Sequence, residues 1–138
     1  GPVELMENEP DYIDIAINKG FDVEVDVWYI KNDQYDRMLF LGHDKPQYGV
    51  DFKWFADRIE KLWIHCKNTE AVEFFATKHG YNFFWHENDT LTLTSNKYIW
   101  VYPGMQPISN SIAVMPELYK DSISNCSGVC SDFIKKYR

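Results

Sequence analysis

Residues 20–30 read GFDVEVDVWYI, and the alternation within them decides the fold class. Val23, Val25 and Val27 take every second place, with Asp22, Glu24 and Asp26 between them. A period of two marks a β-strand with one apolar and one polar face. The spacing therefore predicts a strand over 21–30 whose three acids share a face. Upstream, Ile13, Ile15, Ala16 and Ile17 supply an apolar helix face that runs to Lys19. Pro10 suits the first turn of that helix, where a missing N–H costs little, and Gly20 suits its stop.

Downstream, residues 31–37 read as a polar turn and Met38 to Leu41 as a short second strand that ends at Gly42-His43-Asp44. Asp51 to Leu62 carries a helical pattern with Phe52, Phe55, Ala56 and Ile59 on one side. A strand over Leu62 to Cys66 follows, then a helix over Thr69 to His79 stopped by Gly80, and a strand over Tyr81 to Trp85. Further strands are predicted at 90–94, 98–101, 112–114 and 128–130. Strands alternating with helices predict an α/β protein with a parallel sheet. No repeat, low-complexity tract or linker interrupts the chain, so 138 residues are expected to form one domain.

The formal charge of -7 argues against a broad footprint for duplex nucleic acid. Local sign is a separate matter, because a metal ion inverts it. No segment approaches the roughly 18 apolar residues of a membrane span, and no signal peptide is visible. Three cysteines, Cys66, Cys126 and Cys130, give no disulfide framework. Reduced thiols and a cytoplasmic location are expected. Cys126 and Cys130 lack a matching His or Cys pair at zinc spacing, which excludes a zinc site built on them. The start at Gly1-Pro2 points to a natural start further upstream or to a protease scar.

Chemistry-bearing residues fall in three groups. Glu24 and Asp26, two apart on a strand, point the same way and can converge on a hard cation that prefers oxygen ligands. A solvated outer face of an edge strand would show the same pattern. His43, after Gly42 and just past a strand end, stands where α/β enzymes place working residues, and its imidazole can transfer a proton near neutral pH. An ordinary loop histidine would look the same. His65 and Lys67 alternate with Cys66, so an imidazole and an ammonium share a face while the thiol turns to the core. The ammonium could hold a phosphate oxygen. His86, at the end of Phe83-Phe84-Trp85, and Trp100, within the run from Tyr98 to Tyr102, are candidates to line the same mouth. Core packing accounts for most of the aromatic run, and a structural histidine would look the same at His86.

In this order the pieces resemble the glycerophosphodiester phosphodiesterase family, within the wider phospholipase C-like phosphodiesterases. The matching segments are Glu7-Asn8, Gly20-Phe21-Asp22, Glu24-Val25-Asp26-Val27, His43-Asp44, Ile64-His65-Cys66-Lys67 and Gly128-Val129-Cys130-Ser131-Asp132. In Ile64-His65-Cys66-Lys67, which is similar to a later family strand reading apolar-Glu-apolar-Lys, His65 stands where the family has Glu. The family also carries a His-Arg strand before its Glu-Asn pair, which this sequence does not contain.

The resemblance implies a reduced TIM-barrel-like (β/α) fold, open or lacking its first strand, with its site at the strand C-terminal ends. It implies a divalent cation, Mg²⁺ or Ca²⁺, held by Glu24 and Asp26, with Glu7 or His65 as a further ligand. His43 would be the general acid, Lys67 would pair with a phosphate oxygen, and His86 and Trp100 would contact a small phosphodiester substrate. Two other functions compete. One is a catalytically degenerate descendant that binds a phosphate-bearing ligand or a protein. The other is a phosphodiesterase acting on small nucleotides or single-stranded nucleic acid, whose bases the aromatics could stack.

Overall fold

The computed structural model describes residues 8–31 and 38–137. They fall into two compact units, one within Val3–Trp85 and one within His86–Arg138.

The first unit opens with α1 (Pro10–Asn18). Glu9 caps it, its carboxylate accepting from the backbone N–H of Asp11 and Tyr12, and Pro10 sits in the first turn. Gly20, at φ +92°, takes the left-handed conformation that ends the helix. β1 (Val23–Tyr29) follows, then β2 (Leu39–Leu41), β3 (Tyr48–Val50), α2 (Phe52–Ala56), β4 (Leu62–Cys66), α3 (Thr69–Ala76) and β5 (Asn82–Trp85). The sheet order is β3-β2-β1-β4-β5. β1 pairs in parallel with β4, and β4 with β5, whereas β2 runs antiparallel to both β1 and β3.

Alternation sorts the sheet faces as the sequence predicts. Val25, Val27, Ile64 and Cys66 are fully buried, in one core with Ile13 of α1, Phe55 of α2 and Ala71 and Phe75 of α3. Glu24, Asp26 and His65 occupy the alternate positions of β1 and β4. Burying one such apolar side chain contributes roughly 1.5–3 kcal/mol, so the valine face fixes which way the acids turn.

The barrel expectation is overturned. Both edges of this sheet, β3 and β5, are open, and no barrel closes among the described residues. The physical reason lies in the connections. Tyr29 and Leu39 are joined by fewer residues than the dozen or so a parallel crossover needs, so β2 returns antiparallel beside β1. Tyr48–Val50, a strand not anticipated from the sequence, then extends the antiparallel edge. The fold is a small α+β arrangement with two mixed sheets and three α-helices among the described residues.

The helix expected over 51–62 stops at Ala56. The Arg58 guanidinium donates to Trp54 O at 3.0 Å. The chain then tightens, with Arg58 N–H bonding Phe55 O and Lys61 N–H bonding Arg58 O, the i+3 pattern that ends helices. Arg58 also makes a two-point bond to Asp14 of α1, at 2.7 and 2.9 Å, which ties the two helices together.

The second unit holds β6 (Leu91–Leu93), β7 (Ile99–Val101), β8 (Ser111–Val114) and β9 (Gly128–Cys130), in that sheet order. β6 and β7 are antiparallel; β7, β8 and β9 are parallel. Trp100, Val101 and Ala113 are buried in its core. No helix among the described residues is long and apolar enough to cross a membrane.

Candidate metal centre

The register of β1 on β4 places Asp26 directly beside His65 and Glu24 beside Trp63. Same-face residues on adjacent parallel strands become neighbours, and here three ligand-bearing side chains converge. One donor atom from each of Glu24, Asp26 and His65 lies within 4.8 Å of the others. His65 Nδ1 stands 3.1 Å from Asp26 Oδ1 and 3.7 Å from Glu24 Oε1. Two ligands on one ion at about 2.1 Å each can be at most about 4.2 Å apart, so both separations suit a shared cation. Asp22, the third acid on this face, is drawn elsewhere: Trp63 Nε1 donates to it at 3.2 Å and Lys61 Nζ lies 3.8 Å away.

The centre sits on a sheltered sheet face rather than in open solvent. The side chains of Asp26, His65 and Glu24 are 3%, 13% and 25% exposed. The His65 ring is stacked on Phe84 of β5, with centroids 5.0 Å apart and planes 12° from parallel. Asn8 reaches in from the N-terminal side. Its amide donates to Asp26 Oδ2 at 3.0 Å, and its own oxygen accepts the Asp26 backbone N–H at 2.9 Å. Burial pushes the Asp26 carboxyl up, but hydrogen bonds from His65 and Asn8, the His65 charge and a contribution from Glu24 outweigh it and hold the group below the usual carboxylate value.

His43 lies on the loop after β2. Gly42 N–H donates to Asp26 O at 3.1 Å, so this loop starts against the strand that carries the acids. Trp28 Nε1 donates to Gly42 O at 2.7 Å. Only glycine fits at 42, because a Cβ there would lie 2.0 Å from Lys45 O. The His43 ring is itself 60% exposed and takes Asp44 as its Nδ1 partner at 2.8 Å. His43 is therefore an exposed loop histidine paired with a carboxylate, outside the three-residue cluster.

Lys67 follows β4 directly, its backbone N–H bonding Val27 O at 2.8 Å, and alternation sets it on the His65 face. Glu7 lies outside the described residues. His86 and Trp100 belong to the second unit. There His86 stacks on Tyr102, with centroids 3.9 Å apart, and its Nδ1 lies 3.8 Å from Asp89 Oδ2. Trp100 is a core residue of β7, flanked by Thr92 and Ile112 in register.

Sequence reasoning missed two supporting roles. Asn68 caps α3 by accepting the Ala71 N–H, and the same amide brackets Tyr29, accepting its N–H at 3.2 Å and donating to its O at 2.9 Å. Its position one residue before Thr69-Glu70 is a helix N-cap signal. Trp28 anchors the His43 loop; as one apolar residue among many, it carried no such signal. No family model, curated protein or solved structure matches this chain.

Proposed function

We infer that the protein is a metal-dependent phosphodiesterase acting on a small phosphodiester of the glycerophosphodiester type. The observation that carries this is the convergence of Glu24, Asp26 and His65 on one sheltered sheet face. Three protein ligands with both carboxylate and imidazole character suit a divalent cation. The order of sequence segments that resembles the glycerophosphodiester phosphodiesterases supplies the reaction class.

Glu24, Asp26 and His65 would hold the ion, which supplies Lewis-acid polarisation of a phosphoryl oxygen when bound. Asn8 fixes the Asp26 carboxylate so that it meets the ion without rearranging. Lys67, on the His65 face just beyond β4, neutralises a nonbridging phosphate oxygen. As water or a neighbouring substrate hydroxyl bonds to phosphorus and the P–O bond to the leaving group breaks, His43, oriented by Asp44, gives its proton to the leaving alkoxide, and its exposure admits substrate from solvent.

The test is a panel of glycerophosphodiesters, lysophospholipids and cyclic nucleotides, assayed with and without EDTA. Expected are turnover of one class that EDTA abolishes, and loss of that turnover in Glu24→Ala and Asp26→Ala. Absence of turnover across the panel, with cation binding retained, would leave a non-catalytic ligand binder. The depth of Asp26, 3% exposed and held by Asn8, is the feature that favours this second function.

A further inference from the structure

We propose that His65 makes this centre selective for a borderline transition ion of the Zn²⁺ or Co²⁺ type over Mg²⁺ and Ca²⁺. The proposal rests on the divalent-cation function above and narrows it. Mg²⁺ and Ca²⁺ are hard ions that take oxygen ligands almost exclusively, and Mg²⁺ sheds its waters reluctantly. An imidazole nitrogen suits Zn²⁺, Fe²⁺ and their neighbours.

In this protein the nitrogen is no bystander that could swing away. Its Nδ1 is the atom aimed at both carboxylates, 3.1 Å from Asp26 and 3.7 Å from Glu24. The ring is pinned against Phe84 and its side chain is only 13% exposed. An ion held between Glu24 Oε1 and Asp26 Oδ1 has this nitrogen within ligand reach. Both nitrogen-to-oxygen separations, 3.1 and 3.7 Å, fall within the span that two ligands of one divalent ion bridge.

The experiment is calorimetric titration of the full chain with Zn²⁺, Co²⁺, Mg²⁺ and Ca²⁺ at one neutral pH. It uses a Cys126→Ser, Cys130→Ser background, because those two thiols are partly exposed soft ligands. Zn²⁺ and Co²⁺ are expected to bind at least about tenfold more tightly than Mg²⁺ and Ca²⁺. His65→Glu, which replaces the nitrogen by oxygen, is expected to close or invert that gap. Equal affinities in the parent, or an unchanged gap in His65→Glu, would overturn the selectivity while leaving the cation site standing. Failure of every ion to bind would overturn the metal-dependent function as well.

Should His65→Glu fail to fold by circular dichroism, the parent protein decides. Loaded with Co²⁺, it is expected to show one of its four histidines with strongly paramagnetically shifted ring protons, and that signal is expected to disappear when Zn²⁺ replaces Co²⁺. Co²⁺ binding with no shifted imidazole signal would overturn the proposal.

Discussion

Asn8 holds Asp26 at two points, donating to its carboxylate at 3.0 Å and accepting its backbone N–H at 2.9 Å. Both residues are buried. The amide therefore satisfies a main-chain donor in β1 and steadies a charge that would otherwise be costly to bury. Asn8→Ala leaves both groups short of a partner, and unsatisfied buried polar groups cost about 1–3 kcal/mol. Urea unfolding is expected to show a loss of about 2–3 kcal/mol. A change below about 0.5 kcal/mol, the range of ordinary surface substitutions, would mean that water replaces the clamp without loss.

Asp26 also sets a pH dependence. Its carboxyl titrates below the ordinary value of 3.8, first against burial and then through His65 and Asn8. In the window between the folded and unfolded values the unfolded chain binds more protons, so stability rises with pH there. The contribution is complete above the unfolded value and is lost as pH falls through the lowered folded one. Asp14, lowered by its bond to Arg58, acts in the same sense. Denaturant melts taken from about pH 5 down to about pH 2 should show a shallower acid limb for Asp26→Asn than for the parent. Parallel limbs would refute the assignment.

The bond between Arg58 and Asp14 joins α1 to the end of α2, and the guanidinium also lies 4.6 Å above the Trp54 ring. Partly exposed ion pairs such as this one are screened by solvent, so Arg58→Ala is expected to cost only about 1 kcal/mol. Arg58→Lys should recover little of it, because a lysine cannot reproduce the two-point fork. Thermal melts of the two variants measure both expectations. Full recovery with lysine would show that charge alone matters.

Gly42 carries the loop on which His43 stands. A methyl group there collides with Lys45 O, so Gly42→Ala should displace the loop and cost about 1 kcal/mol or more. In the phosphodiesterase assay it should lower turnover while cation affinity at Glu24, Asp26 and His65 is retained. Loss of cation affinity instead would mean that the loop shapes the metal centre itself.

Burial pushes the Cys66 thiol up to about 12, and the residue is fully buried in the core. A thiol-specific reagent added to the native protein should modify Cys126 and Cys130 and leave Cys66 until the chain is denatured. Modification of all three at one rate would contradict the packing of β4.

Apart from Tyr48–Val50, which was missed, the strands were legible to within a residue or two, and Gly128–Cys130 was read as it stands. The period of two over residues 23–27 also predicted which face the acids take, because a valine row commits a strand to one orientation. It could not say which strand lies alongside. Parallel pairing of β1 with β4 matched the expected strand-helix order, but β2 turned back on β1, and the short link after Tyr29 was the physical clue. Of the site, Glu24, Asp26 and His65 came together because local alternation put them on one face and the parallel register of β1 on β4 set them side by side. His43 stayed on an exposed loop, since a loop's path depends on contacts such as Trp28 to Gly42 that no periodicity encodes. Trp100 went to a core for the ordinary reason that a large apolar ring gains most there.

The register of β1 on β4 has a consequence for quality control of the fold. A slip by one residue would turn Glu24 and Asp26 toward the core and the valines outward, scattering all three ligands at once. If the proposed ion binds, correct strand pairing and ion capture would be two readouts of a single event. An ion bound across Asp26 and His65 would act as a staple between neighbouring strands, resisting the shear that separates them, so chelation should be felt as a loosened sheet even where no substrate is present.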